Sequence, residues 1–181
     1  MKFQFDVNLS EKDYLDYNMF WMTKSPYGKK QLITLKTMSS IIICVTFFIL
    51  LFIGKILTDL FIGIIFLVIF LILDQLFFDR FLLWTLKSQL KALKKSGKMG
   101  YSQSSVIEFY EDYFTEITPD NKMEQKYSVI ERVSLVDNEI IYIHVNNVMA
   151  FILPLRSFES KEQYESFLQF IKTKCANIDT Y

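Results

Sequence analysis

Residues 57–78 read LTDLFIGIIFLVIFLILDQLFF, a run in which only a few polar side chains interrupt the apolar ones. A second apolar run, MSSIIICVTFFILLFI, covers residues 38–53. A helix needs about 20 predominantly apolar residues to cross a bilayer, and each run reaches that length with its flanks. We therefore predict transmembrane helices over residues 35–54 and 57–78. The alternative, two buried core helices, is disfavoured because neither run has a polar face at helical spacing.

The charges around these runs predict their orientation. Four lysines precede the first run, six Lys or Arg residues follow the second, and the link at residues 54–59 contains Lys55 alone. A link this short makes a helical hairpin with both chain termini on the same side. Because Lys and Arg are retained on the cytoplasmic side of a membrane, both termini are predicted to be cytoplasmic.

Asp74 is a carboxylate inside the second apolar run. A helix over residues 57–73 rises roughly 25 Å, which places Asp74 at the cytoplasmic boundary of the hydrocarbon. Three interpretations stay open: an interfacial carboxylate, a contact between packed helices, and an ion or proton relay. The first is preferred, because a charge costs much less at the interface than at the bilayer centre.

A basic helix is predicted over residues 79–98, directly after the second span. Its leucines recur at spacings of three and four, and lysines follow the same rhythm on a neighbouring arc. Such a helix suits the cytoplasmic membrane surface, where lysines contact anionic lipid or a partner. The candidate contact residues are Lys87, Lys91, Lys94 and Lys95. Nucleic-acid binding is not expected, because lysines beside a span ordinarily follow the positive-inside rule.

The first 30 residues are predicted to form a cytoplasmic strand and an amphipathic helix. Phe3, Phe5 and Val7 alternate with polar residues, which is the pattern of a half-buried strand. Ser10, with Asp13 three residues later, is typical of a helix N-terminus. A single strand is not stable by itself, so we expect this one to join or cover the C-terminal sheet.

Residues 101–181 are predicted to form a small antiparallel sheet and a C-terminal helix. This half is acidic, whereas residues 21–98 are basic. Short β-type runs are separated by turn residues at Asp137-Asn138 and Asn146-Asn147. Ser160 begins a helix with one apolar stripe. The fold class is therefore an α+β membrane protein, and its C-terminal domain resembles the pleckstrin-homology (PH-like) fold by analogy.

Four segments in order resemble the YcxB-like family of bacterial membrane proteins. They are FDVNLSEKDYLDY at the start, the two-span hairpin, YSVIERV at residues 127–133 and ILPLRSF at residues 152–158. The resemblance implies a multi-pass protein of the bacterial cell membrane, with a YcxB-like cytoplasmic domain of unknown biochemical role. It supplies no catalytic residues.

The usual catalytic and cofactor motifs are not found in the sequence. There is no Gly-rich phosphate loop, GxSxG or HExxH, and neither of the two cysteines belongs to a CxxC. His144 is the single histidine, and we expect it to be partly exposed on a strand. Arg156 is expected to pair with an acid of the domain or with a lipid phosphate. We therefore expect a protein that is not an enzyme and binds no cofactor or metal.

These observations predict a non-catalytic module that binds a protein partner or senses the membrane. The expected partners are membrane lipid, a protein and a second copy of the chain, but not nucleic acid. An alternative is an immunity protein that protects its producer from a secreted membrane-active toxin or bacteriocin. A neighbouring toxin gene would distinguish the two. A third class, a small transporter or channel, would require facing polar residues in the spans.

Overall fold

A computed structural model describes residues 1–54, 60–97, 101–137, 139–147 and 149–181 of the chain. These residues form two units, which we call the β domain (Met1–Asn18 and Ser96–Tyr181) and the helical hairpin (Met19–Lys95). The helices are α1 (Glu11–Lys24), α2 (Pro26–Gly54), α3 (Leu60–Lys95) and α4 (Lys161–Lys174). The strands are β1 (Phe3–Asn8), β2 (Ser104–Phe109), β3 (Tyr113–Ile117), β4 (Lys122–Lys126), β5 (Arg132–Val136), β6 (Ile140–His144), β7 (Ala150–Pro154) and β8 (Ile178–Thr180).

The α+β fold class predicted from the sequence is confirmed. The strands form two four-stranded sheets, with the orders β1-β2-β3-β4 and β7-β6-β5-β8. All neighbouring strands are antiparallel except β5 and β8, which are parallel. The sequence did not predict the division into two sheets. A 3-10 turn at Tyr127–Val129 separates β4 from β5, and its buried Tyr127 donates a hydrogen bond to the Tyr110 carbonyl (2.8 Å).

Strand β1 joins the β domain, as its alternating sequence predicted. It pairs antiparallel with β2 from Phe3 opposite Phe109 to Asn8 opposite Ser104. Successive side chains of a strand point to opposite faces, so Phe5 and Val7 enter the core together. Each is 1% exposed, whereas their neighbours Gln4, Asp6 and Asn8 are exposed.

The core of the β domain lies between the two sheets and α4. Phe167 and Ile171 bring the apolar stripe of α4 into it, and both are fully buried. The predicted cap of this helix is present, because Ser160 Oγ accepts a hydrogen bond from the Gln163 amide. The core side chains of the two sheets are Phe5, Val7, Ile107, Phe109, Phe114, Val133, Ile141, Ile143, Phe151 and Leu153.

The other face of the second sheet is covered by the first part of α1. The ring of Tyr17 lies 5.1 Å from that of Tyr142 and 6.3 Å from that of His144. The prediction that His144 is partly exposed is therefore wrong, because its side chain is 2% exposed. A histidine at the end of a strand is exposed only if no other element packs on its face of the sheet. The packing of α1 on that face could not be predicted from the sequence of the strand.

The helical hairpin contains two helices that are long and apolar enough to cross a membrane. The apolar windows lie in Pro26–Phe52 and Phe61–Lys95, with mean hydropathies of 2.2 and 2.7. No part of the first window and 11% of the second is buried, which argues against two core helices of a soluble fold. Helix α3 continues without a break through the basic residues to Lys95, and Gly97 follows with a φ of 69°. Of the predicted link, residues 55–59 lie outside the described residues, as does residue 98 at the end of the predicted basic helix.

Candidate functional site

A groove of about 980 Å³ lies within the β domain. Four segments contribute most of its walls: the first part of α1, residues 101–104, the β3–β4 hairpin from Glu116 to Met123, and the start of β7. Pockets that hold small molecules usually have volumes of about 300–1,000 Å³, so this groove is at the upper end of that range. It is the main candidate for a binding site in the described chain.

One wall of the groove is aromatic. The rings of Tyr14 and Tyr101 stack, with their centroids 4.5 Å apart and an interplanar angle of 16°. Tyr17, which is buried against the second sheet, also lines the groove. Aromatic faces of this kind attract cations and pack against apolar groups.

Glu116 places a carboxylate on the core side of the first sheet. It lies two residues after the buried Phe114, and therefore on the same face of β3. Its neighbours across the sheet are Ile107 and Met123. Burial raises the pKa of Glu116, and a hydrogen bond with the Ser105 hydroxyl partly opposes this effect. The position thus offers a partly desolvated acid at the edge of an apolar core.

The edge of β7 contributes backbone groups to the groove. The Val145 amide donates to the Met149 carbonyl, and the Leu155 amide donates to the Glu139 carbonyl. Because residues of an antiparallel strand alternate between bonded and non-bonded pairs, Ala150 and Ile152 direct their amides and carbonyls away from β6. Both residues line the groove. In the described part of the chain, β7 pairs with β6 alone and β4 pairs with β3 alone.

The charged residues of the lining all have the same sign. In the described part of the chain they are Glu116 and Asp120, and no Lys, Arg or His is among the lining residues there. No group of three or more His, Cys, Asp or Glu residues that could hold a metal occurs in the described ranges. The described residues of the lining also include no Cys and no His to form a nucleophile–base pair with its serines and threonines. The geometry suits recognition of a ligand by shape, backbone pairing and negative charge.

The four predicted lysine contacts lie on the last turns of α3. Lys87, Lys91, Lys94 and Lys95 are all exposed there. Their predicted contact with anionic lipid or a partner stays a prediction.

Arg156 pairs with an acid, which was one of its two predicted roles. Its guanidinium forms a fork on Asp13, where Nη1 lies 3.1 Å from Oδ1 and Nη2 contacts Oδ2, and Nη2 also donates to the Asn8 carbonyl (2.9 Å). Ser10 donates to Asp13 Oδ2 through its amide and its hydroxyl, both at 2.7 Å. Burial raises the pKa of Asp13, but the bonds from Arg156 and Ser10 outweigh it, so this pKa lies below its usual range.

We expect Arg156→Ala to destabilise the β domain by roughly 1.5–3 kcal/mol, because hydrogen bonds to a charged group are worth about that much. The Asp13 side chain is only 6% exposed and would lose its counter-charge. Arg156→Lys should restore part of the loss, since lysine keeps the charge but not the fork. Thermal unfolding followed by near-UV circular dichroism measures both variants. An unchanged melting temperature in Arg156→Ala would show that the pair contributes nothing.

Asp74 takes part in contacts between the two helices of the hairpin. Ser39 Oγ donates to Asp74 Oδ1 (2.8 Å), and Gln75 Nε2 donates to Ser40 Oγ (3.0 Å). One turn away, Lys36 Nζ lies 3.0 Å from Asp79 Oδ1. Helix packing, which was one of the three interpretations, therefore has geometric support. The sequence alone could not distinguish helix packing from the other two interpretations of Asp74, because the pairing of α2 with α3 depends on how the two helices are rotated about their axes.

Asp74→Asn is expected to leave insertion and abundance nearly intact. An asparagine oxygen can still accept the hydrogen bond from Ser39, and interhelical hydrogen bonds average only about 0.6 kcal/mol in membrane proteins. Quantitative immunoblotting of alkali-extracted membranes, with Ser39→Ala as the matched control, measures the effect. Full insertion with complete loss of a cellular phenotype in Asp74→Asn would instead indicate an ion or proton relay.

Sequence reasoning missed the residues of the groove. Glu116 is not among the predicted site residues, although it follows Phe114 by two residues in a strand. That spacing was a usable signal, because it places the carboxylate on the apolar face. Tyr14, Tyr101 and Ala150 had no comparable signal, since their proximity depends on how α1 packs on the second sheet.

Comparison with known protein families gives a match for one part of the chain. Residues 109–171 match the family described as YcxB-like protein. This confirms the resemblance to that family over the segment from the end of β2 into α4, which contains Glu116 and the edge of β7. No curated protein and no solved structure matches the chain.

Proposed function

We propose that this chain is a non-catalytic bacterial membrane protein: the helical hairpin anchors the β domain on the cytoplasmic side, and the β domain binds a protein partner. The observation that carries this proposal is the groove. Its described lining combines an aromatic wall, two carboxylates and a strand edge, and shows no nucleophile–base pair. The PH-like character of the β domain is part of the proposal.

The exposed apolar surface of the hairpin supports the anchor. Large side chains such as Phe48, Phe52 and Phe61 are 64%, 93% and 70% exposed. An apolar surface of this extent is unfavourable in water and favourable in lipid. The charge distribution supports the orientation, because ten Lys or Arg residues flank the two runs and one lies in the link.

The topology predicts which positions a membrane-impermeant thiol reagent can reach. In a variant whose two native cysteines are replaced by serine, a cysteine at Lys55 should be labelled from outside intact cells. A cysteine at Ser104, an exposed position at the start of β2, should be labelled only after the membrane is broken. Labelling at position 104 in intact cells would contradict the orientation.

In-cell photo-crosslinking tests partner binding at the groove. Asn121 is exposed and lines the groove, so a photoreactive residue there should give a discrete protein adduct in growing cells. The same residue at Lys161, exposed at the start of α4, is the matched control. Equal adducts at both positions, or adducts to lipid alone at Asn121, would contradict a protein partner at the groove.

A further inference from the structure

We propose that the groove of the β domain binds an extended basic segment of a partner protein, which adds as a strand to the edge of β7 and places a Lys or Arg side chain beside Glu116. This inference rests on the proposed function and names the chemistry of the partner.

The backbone argument comes from the register of β7. Ala150 and Ile152 direct their amides and carbonyls into the groove, as the hydrogen bonds of their neighbours to β6 require. Their spacing of two residues is the repeat with which an incoming strand makes hydrogen bonds. A sheet edge with outward backbone groups is a template for strand addition. Pro154, two residues further on, has no amide to donate, so the pairing register is limited to the start of β7.

The charge argument comes from the lining. Among the residues that the structure describes, Glu116 and Asp120 are the charged members of the lining, and none of these described lining residues carries a positive charge. A ligand carboxylate would meet like charge, whereas a Lys or Arg side chain would meet opposite charge in a partly desolvated position. The stacked rings of Tyr14 and Tyr101 add an aromatic face against which the long stem of such a side chain can pack.

The side-chain alternation of a strand fits this arrangement. A segment paired with β7 would direct alternate residues toward the core side of the first sheet, where Glu116 and Met123 lie. The groove volume of about 980 Å³ exceeds what one side chain needs and leaves room for a short extended segment. A segment with basic and apolar residues in alternation satisfies both sides of the groove.

Fluorescence anisotropy with defined peptides tests this inference on the full chain in nanodiscs of neutral phosphatidylcholine. The main probe is a hexapeptide of alternating lysine and valine, and empty nanodiscs are the blank. We expect saturable binding of this probe, and at least ten-fold weaker binding of its glutamate–valine counterpart. A third peptide keeps the lysine–valine sequence but is N-methylated at alternate amides, so it cannot pair as a strand. It should also bind at least ten-fold more weakly.

A pair of protein variants tests the role of Glu116. Glu116→Gln keeps the shape of the side chain and should weaken binding of the lysine–valine peptide about ten-fold, as expected for the loss of a charge-assisted hydrogen bond. Glu124→Gln removes an exposed acid from the edge strand β4 and should change binding less than two-fold. An unchanged near-UV spectrum of Glu116→Gln shows that the fold is kept.

Several results would overturn the inference. The first is equal affinity for the acidic and basic peptides, and the second is undiminished binding of the N-methylated peptide. The third is complete competition by the small cation spermidine. The fourth is no saturable binding of the lysine–valine peptide up to about 1 mM, a dissociation constant that corresponds to a binding free energy of about −4 kcal/mol. A protein adduct at Asn121 in cells combined with no binding of the basic peptide would leave the proposed function standing. The chemistry assigned to the partner would then be wrong.

Discussion

Replacing Phe5 with alanine is expected to lower the free energy of unfolding of the β domain by about 3–5 kcal/mol, the usual cost of removing a buried phenylalanine. Its side chain is 1% exposed. The ring lies 4.6 Å from Phe158, 5.1 Å from Phe167 and 5.9 Å from Phe109, measured between centroids. Since small domains are stable by only about 5–15 kcal/mol, this single change removes a large share of the total.

The size of this effect tests whether β1 is an integral part of the domain. Gln4→Ala is the matched control, because Gln4 lies on the same strand but points away from the core. It should change the stability by less than about 0.5 kcal/mol. Near-UV circular dichroism is a suitable probe, because nine of the ten tyrosines belong to the β domain and both tryptophans belong to the hairpin. Equal melting temperatures for Phe5→Ala and the wild type would mean that β1 does not pack in the core.

Local sequence patterns predicted much of this fold. The alternation of β1, the apolar stripe of α4 and the caps at Ser10 and Ser160 depend on neighbours only a few residues apart, so they could be read directly. The sequence also predicted that β1 joins or covers the C-terminal sheet, because a single strand is not stable by itself, and the structure shows that it joins. Two short strands, β4 and β8, were missed. Strand β4 reads KMEQK, with a single apolar residue, and depends on its pairing with β3.

Contacts between residues that are far apart in the sequence could not be predicted from local patterns. The hydrogen bond between Ser39 and Asp74 depends on the rotation of α2 against α3. Arg156 and Asp13 are 143 residues apart, and no local pattern connects them. The groove is of the same kind, since its walls come from four segments that are separated in sequence. The domain boundaries, the lysine contacts and the identity of the partner stay predictions.

The buried histidine makes the stability of the β domain depend on pH. His144 Nε2 lies 3.1 Å from Ser134 Oγ, and both residues are buried. Burial, with a smaller contribution from the positive charge of Arg132, lowers the pKa of His144 from 6.5 to about 4. The folded domain therefore holds this imidazole neutral at pH values where the unfolded chain protonates it.

The sign of the effect follows from proton binding. Between pH 6.5 and pH 4 the unfolded chain binds a proton that the folded domain does not, so acidification favours unfolding. The contribution of His144 is fully present above about pH 6.5 and is lost as the pH falls toward 4. A shift of this size corresponds to about 3 kcal/mol, at roughly 1.4 kcal/mol for each pH unit.

His144→Gln should remove this dependence, because glutamine can still bond to Ser134 but does not titrate. Urea unfolding at a series of pH values from 7 to 4.5 gives the free energy of unfolding of each protein. The lowered pKa values of Asp13 and Glu111 also make the folded domain less stable in acid. The informative quantity is therefore the difference in free energy of unfolding between wild type and His144→Gln at each pH. We expect the wild type to lose about 2–3 kcal/mol more than His144→Gln over this range. Parallel pH profiles would show that His144 is protonated in the folded domain, and that the second sheet opens to solvent beside α1.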